Sequence, residues 1–287
     1  MSKIGIVMDS TGYLTHDILE QFQIRVVPLY VNIGNETFSE QELSSAVFFE
    51  KLTHTSGIST TSQPSVGAFL QTYESLFSEG IEEIISLHLS AAISGTLHSA
   101  QMAIELASNP NVHIFDSRSS ALGLGVLAWA AGEWAEQGMS IEEIMAHLQI
   151  LKQQTELYFI VNTLENLRKG GRIGGAAALV GTLLQIKPIL YFNQRAEIDV
   201  FEKVRSHSRA WQRVLDELTR ALSTGNRYRI CVMHVSVPEK GVILLNELRT
   251  RFPKHEVHLF ELGAVIATHV GPGTVGLAFH PWPCLIE

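Results

Sequence analysis

The chain has 287 residues, 46% of them hydrophobic and 17% charged, with 22 Gly and only 9 Pro. Such a balance excludes a disordered, collagen-like or low-complexity protein and suits one large domain or two ordinary ones with a sizeable core. A net charge of −8 with no basic stripe argues against nucleic-acid recognition.

The opening MSKIGIVMDSTG is interrupted by Asp9 too early for a signal peptide and reads as a buried first strand. Short apolar runs at 4–8, 25–31, 84–89 and 112–116 predict strands, alternating with helical patterns at 15–22, 65–78, 96–107 and 122–137. Strand and helix in alternation imply a parallel sheet with helices on both faces. Residues 140–155 read as one more amphipathic helix. Beyond it, strand-like runs at 158–161, 189–192, 198–204, 228–234 and 256–262 accompany helices at 210–222 and 242–251. The expected fold class is α/β: an N-terminal parallel-sheet α/β/α domain over 1–156 and a C-terminal mixed-sheet α+β domain over 157–287.

Three stretches, 52–73, 84–104 and 262–286, contain no Asp, Glu, Lys or Arg. Polar residues break up the first two and Pro272, Pro281 and Pro283 the third. None is a continuous bilayer span, so the chain is expected to be soluble and cytoplasmic. Apolar residues mixed with small hydroxyls, glycines and histidines suit a ligand wall and a buried α/β core equally. In the first stretch, Thr60-Thr61-Ser62-Gln63-Pro64-Ser65 precedes a helix, where hydroxyls cap the helix or help hold an anion at its positive end. In the second, Ser94-Gly95-Thr96 joins a strand to a helix, the place where open α/β sheets bind ligands. Lacking the Lys of a Walker loop, it is not a nucleoside-triphosphate site. In the third, His269 adjoins Gly271-Pro272-Gly273 in an apparent strand-to-loop segment, where a histidine is more often structural than catalytic. Arg172, after Gly170-Gly171, either follows a helix end or faces an anion or a partner.

Other chemistries fail on spacing. The sequence has no Gly-x-Ser-x-Gly elbow and no His-Glu-x-x-His. His255 and His258, three apart in an expected strand, face opposite sides and cannot share a metal. Cys231 and Cys284 lack metal or redox spacing and read as reduced thiols. Asp9 and Asp116, each at a strand end before Ser, read as turn caps. No metal or cofactor is expected. A Ser/His hydrolase using Ser94 and His269 remains open, because triads assemble across a fold.

In chain order, Asp9-Ser10-Thr11, Thr61-Ser62-Gln63-Pro64-Ser65, Ser94-Gly95-Thr96 with Ser99-Ala100, Asp116-Ser117, Leu167-Arg168-Lys169-Gly170-Gly171-Arg172-Ile173, Lys187-Pro188 and His269-Val270-Gly271-Pro272-Gly273 resemble the DegV family over nearly the whole chain. Val270 departs from the hydroxyl residue more usual before Gly-Pro-Gly. The resemblance implies a two-domain fold holding one long-chain fatty acid in an apolar tunnel. It implies a carrier that is not itself an enzyme, presenting the carboxylate to a separate fatty acid kinase subunit that makes the acyl phosphate. By motif match, Thr61, Ser94 and His269 bind the carboxylate, while Ser62, Gly95, Thr96, Gly271 and Gly273 form supporting loops. Arg172 falls in a basic motif facing the partner or a phosphate. No cofactor, no nucleic acid and no stable membrane insertion are implied, and a monomer suffices. A lipid-responsive regulatory module is the other reading.

Overall fold

A computed structural model describes residues 3–55, 59–179 and 186–282. Strand β1 (Ile4–Asp9), helix α1 (His16–Gln21) and strand β2 (Arg25–Val27) open the chain. Pro28 has no amide hydrogen to continue a ladder, and past it the chain enters a different sheet. That sheet is antiparallel, built from β3 (Tyr30–Ile33), β4 (Glu36–Ser39) and, after helix α2 (Ser45–Thr53), β5 (Thr60–Ser62), in the order β4-β3-β5. The single strand expected over 25–31 is therefore two short strands in two sheets.

Helix α3 (Val66–Ser78) follows, its N-terminus capped by the Ser65 hydroxyl accepting from Ala68 N. Next come β6 (Glu83–His88), α4 (Thr96–Leu106) and β7 (Val112–Asp116). The four-stranded sheet β2-β1-β6-β7 is wholly parallel, as the alternating pattern predicts. Connections run outward from β1 to β2 and from β6 to β7, so the carboxyl ends of β1 and β6 form a topological switch point. Asp9 ties the two strands together there. Its Oδ1 accepts from Thr11 N at 3.0 Å and its Oδ2 from Leu89 N at 2.8 Å. Asp116 likewise accepts from Arg118 N at 2.7 Å, so both aspartates are turn caps.

Helices α5 (Leu122–Glu136) and α6 (Ile141–Gln154) lead to β8 (Glu156–Ile160), α7 (Glu165–Lys169), β9 (Lys187–Phe192) and β10 (Ile198–Val204). Then come α8 (His207–Leu222), β11 (Tyr228–His234), α9 (Pro238–Arg251), β12 (Glu256–Glu261), α10 (Ala264–Val270) and β13 (Val275–Pro281). The six-stranded sheet runs β10-β9-β8-β13-β11-β12 and is mixed, with β11–β12 its parallel pair. Both expected parts, the parallel α/β and the mixed-sheet α+β, are present. The segment bearing His269 is a short helix followed by a strand, not a strand running into a loop.

The layers follow from where apolar surface is covered. Helices α3 and α4 cover one face of the parallel sheet, α5 and α6 fill the space between the two sheets, and α8 and α9 cover the far face of the mixed sheet. Helix α5 is buried almost all round, and a helix apolar on every side needs cover on every side. Its Gly125 lies so close to the β1–α1 connection that an added Cβ would sit 2.2 Å from Gly12 O. Among the described residues no helix is long and apolar enough to cross a membrane. Cys231 is a buried free thiol whose pKa burial pushes up to about 12; Cys284 lies outside the described residues.

Arg229 on β11 fastens the middle layer to the mixed sheet. Its guanidinium lies between the rings of Trp129 and Trp282, 3.7 and 4.2 Å from their centroids, and donates to Glu133 at 2.9 Å and Glu256 at 3.2 Å. Burial raises the Glu133 carboxyl above its ordinary pKa, and Arg229 opposes the rise. Arg229→Leu would strand that carboxylate. It is expected to lower the unfolding free energy in urea by about 3 kcal/mol, whereas a loss within error of zero would show that the clamp adds no stability.

Candidate functional site

A cavity of about 70 Å³ lies beside the switch point. Each uncharged stretch of the sequence supplies part of its wall: Thr61 from β5, Leu89, Ile93 and Ser94 from the turn after β6, and Leu262, Val265, Ile266, His269 and Val270 on and before α10. The mixed sheet adds Leu157, Phe159, Phe192 and Met233. Arg172 is the only charged residue lining it among the described residues. A charge turned into such a wall would have to be desolvated without compensation, which accounts for uncharged residues at the lining positions of the three stretches.

The polar lining residues are Thr61, Ser94, Ser120, Arg172, His269 and Thr274; Thr61 bonds His269, and Arg172, bonded to Ile93 O next to Ser94, lies near that ring. In β5 alternate residues face opposite sides. Thr60 and Ser62 turn outward and accept from Asn32 Nδ2 at 3.4 and 3.0 Å, while Thr61 turns inward and lies 2.8 Å from His269 Nε2. Thr61 thus reaches the cavity from a strand and not from a helix N-terminus. Ser62, expected in a ligand loop, faces away from the cavity. Helix α10 presents Val265, Ile266, His269 and Val270 on one face, at the spacing that puts neighbours of a helix together.

The His269 ring is buried deeply enough to bring its pKa down to about 4, with the Arg172 charge a lesser cause. It is therefore neutral at ordinary pH. Its Nδ1 is buried without a hydrogen-bond partner and packs over Gly170, where an added Cβ would lie 2.3 Å away. A hydrogen on Nδ1 would be an unpaired buried donor, so the favoured tautomer carries it on Nε2 and donates to Thr61 Oγ1. The Thr61 hydroxyl then keeps its own hydrogen for another acceptor.

Ser94 Oγ lies 2.9 Å from Thr96 Oγ1 and accepts from Thr96 N at 3.3 Å. Gln63, which sequence reasoning does not single out as a site residue, donates to Ser99 Oγ at 2.8 Å and lies over Gly95. A Cβ at Gly95 would sit 2.1 Å from Gln63 Oε1, so the glycine makes room for that amide. Arg172 donates to Gly170 O at 2.6 Å and Ile93 O at 3.1 Å and has no carboxylate partner among the described residues. Thr61, Ser94, Arg172 and His269 are all part-exposed. Gly271 and Gly273 lie outside the wall. Both have positive φ, and they shape a turn fitted closely around Asn166 and Asn162, the latter donating to Pro272 O at 2.9 Å.

Two hydrolase-like arrangements can be compared. His269 bonds Thr61, not Ser94, and no carboxylate orients its Nδ1. Asp9, His88 and Ser86 have the residue types of a triad, but each is fully buried, and Ser86 Oγ also bonds Tyr73 Oη at 2.8 Å. No cluster of three or more His, Cys, Asp or Glu suited to a metal occurs among the described residues. Imidazole NMR is expected to find His269 neutral from about pH 8 to about pH 5. Arg172→Met should raise its pKa only part of the way toward 6.5, since burial is the larger cause. A wild-type ring titrating near 6.5 would contradict the geometry.

The chain matches the family model described as "Uncharacterised protein, DegV family" over residues 3–281. It is 42% identical over 278 residues to a DegV domain-containing protein of Listeria innocua, covering 96% of this chain and 98% of that one. Among solved structures, the Bacillus subtilis protein described as DegV, a fatty acid binding protein, superposes with a TM-score of 0.90 at 36% identity, covering 98% of this chain and all of its own. A DegV family protein from Thermus thermophilus, described for its fatty acid binding, gives 0.89 at 34% identity, covering 97% of this chain and 99% of that one. With the family model spanning almost every residue and relatives alike from end to end, this chain belongs to the DegV family.

Proposed function

We propose that this chain binds one long-chain fatty acid, its tail in the apolar cavity and its carboxylate at Thr61, Ser94 and His269. The observation that carries the reading is a cavity with mostly apolar walls in which the part-exposed Thr61, bonded to His269, and the part-exposed Ser94 offer uncharged polar groups. Relatives described as fatty acid binding share the fold over nearly their whole length. A buried tail contributes about 0.8 kcal/mol per methylene, so ~15 methylenes supply on the order of 12 kcal/mol before the costs of association and ordering. The head group then needs orientation and satisfied hydrogen bonds more than added affinity. The Thr61 hydrogen left over by the favoured His269 tautomer suits a carboxylate oxygen, and Ser94 offers a second hydroxyl.

The finer reading is that the carboxylate is presented to a separate kinase subunit, which supplies nucleotide and metal and phosphorylates the acid. The partial exposure of Thr61 and Ser94 supports it, as does Arg172, which has donors to spare for an anion there. The hydrolase alternative gains nothing from the geometry, because His269 has no acid partner and does not bond Ser94.

Lipid extracted from the purified chain and identified by mass spectrometry is expected to contain a long-chain fatty acid. Protein that comes empty and refuses added palmitate and oleate would end the proposal. Thr61→Val and Ser94→Ala are each expected to weaken palmitate binding by roughly 1–3 kcal/mol. For the finer reading, the loaded chain mixed with a fatty acid kinase subunit and ATP should yield acyl phosphate, trapped as the hydroxamate. Arg172→Ala is expected to lower that yield more than it lowers fatty acid affinity.

A further inference from the structure

Helix α10 contributes Val265, Ile266 and Val270 to the wall and bears His269 in its last turn, yet its N-cap residue, Gly263, has no side chain with which to cap it. The first amides are met from elsewhere. Val265 N donates to Glu40 Oε1 at 2.8 Å, and Ile266 N donates to Tyr13 Oη at 3.2 Å. Tyr13 Oη donates in turn to Glu40 Oε1, and Ser10 Oγ donates to Glu40 Oε2 while accepting from Leu29 N at 3.0 Å. Glu40 follows β4 of the small sheet, and Ser10 and Tyr13 follow β1, so one carboxylate joins both of those elements to α10. A Cβ at Gly263 would lie 2.7 Å from the Tyr13 ring and 3.0 Å from Glu40 Oε1; glycine leaves the space that the distant cap occupies. Helix α10 also packs against α7, α2, β3 and β5, and the distant cap fixes the first turn of the short element that carries His269.

We propose that Glu40 is a positioning residue for the head-group end of the site: with Tyr13 it caps α10 from across the fold and so holds His269 against Thr61. The proposal rests on the fatty acid reading above. Ser10, Tyr13 and Val265 all present hydrogens to Glu40, an arrangement that suits a carboxylate and leaves a protonated acid facing donors. Burial works the other way. It brings the Glu40 pKa up to about 7 against those hydrogen bonds, with Asp9 adding repulsion, so the cap loosens as the pH falls through neutrality. The remaining ionisable groups facing it are Tyr13, itself raised by burial, and Glu261, which accepts from Ser45 across the adjoining cavity. No lysine, arginine or histidine lines that cavity among the described residues. His269, at the far end of α10, stays neutral over the same range.

The test follows the amides of the unliganded full chain by ¹⁵N NMR and measures palmitate binding alongside. From about pH 8.5 to about pH 5.5 the Val265 amide is expected to titrate with a midpoint near 7, and Glu40→Gln to abolish that titration. Glu40→Gln is expected to weaken palmitate binding roughly tenfold at about pH 8 and to lack the further loss that wild type shows at about pH 6. Ionisation of the acid is common to both proteins, so the difference between them isolates Glu40. Tyr13→Phe, which keeps its ring against Gly263, should fall between the two. Equal palmitate affinity in wild type and Glu40→Gln overturns the proposal, and so does a His269 ring whose NMR shifts are unmoved by Glu40→Gln. If Glu40→Gln fails to fold, Tyr13→Phe, which takes the Tyr13 hydrogen bonds out of the cap, is read in its place by the same two measurements. Wild type that binds no palmitate but shows the titration sinks the fatty acid reading and leaves the cap standing.

Discussion

A hydrogen bond between an uncharged imidazole and a hydroxyl, His269 to Thr61, joins the small antiparallel sheet to a helix 208 residues further along the chain. The polar part of the cavity wall depends on it. Protonation would leave the Nε2 hydrogen donating to Thr61, but it would add an unpaired hydrogen at the buried Nδ1 and a charge beside Arg172. Burial and that arginine together remove the charge, and the packed, partnerless Nδ1 selects which nitrogen carries the hydrogen. The neutrality of the site is thus an outcome of packing. An apolar wall can run up to these groups without meeting an ion until Arg172.

Close packing around the site depends on three side chains that are absent. Gly95 makes room for Gln63, Gly170 for the His269 ring, and Gly263 for Tyr13 and Glu40. The His269 ring over Gly170 lines the cavity itself, whereas Gln63 over Gly95 bonds Ser99 and the Tyr13–Glu40 pair by Gly263 bonds the first amides of α10. Close approach of backbone and polar side chain lets short loops and a seven-residue helix act as a rigid frame. The fold delivers these pieces to one place because β1 and β6 diverge there, and because the mixed sheet closes the opposite side.

Much of the framework was legible because apolar runs and helical periodicity report burial directly. The strands of the parallel sheet, α3 to α6, and strands such as β10 and β11 lie where the pattern places them. Helix α10 was not legible: it is buried on nearly every side, so its sequence shows neither the two-residue nor the 3.6-residue alternation that marks an exposed face. Residues 25–31 read as one strand because a continuous apolar run does not reveal that Pro28 hands the chain to another sheet. Thr61 was legible as a candidate, though for an incomplete reason, and it does line the cavity. Its hydroxyl neighbours suggested capping, whereas Ser65 alone caps α3, and strand alternation is what turns Thr61 inward. Glu40 and Tyr13 carried no signal, because a cap that acts across 225 residues leaves no spacing to find.

On the fatty acid reading, affinity and orientation fall to different parts of one cavity. The tail's contribution scales with buried methylenes and is indifferent to which oxygen faces outward. Orientation rests on Thr61, Ser94 and His269, none of which carries a charge at ordinary pH. A bidentate arginine clamp at the same place would satisfy both carboxylate oxygens and hold them back from a phosphoryl donor. Arg172 is arranged otherwise: two of its donors are committed to Gly170 O and Ile93 O, which anchors the guanidinium at the rim and keeps it from closing over the head group as a fork. On this reading neutral donors hold the carboxylate by hydrogen bonds while the tethered cation leaves one of its oxygens free. That asymmetry is what a carrier requires if a second protein is to do the chemistry.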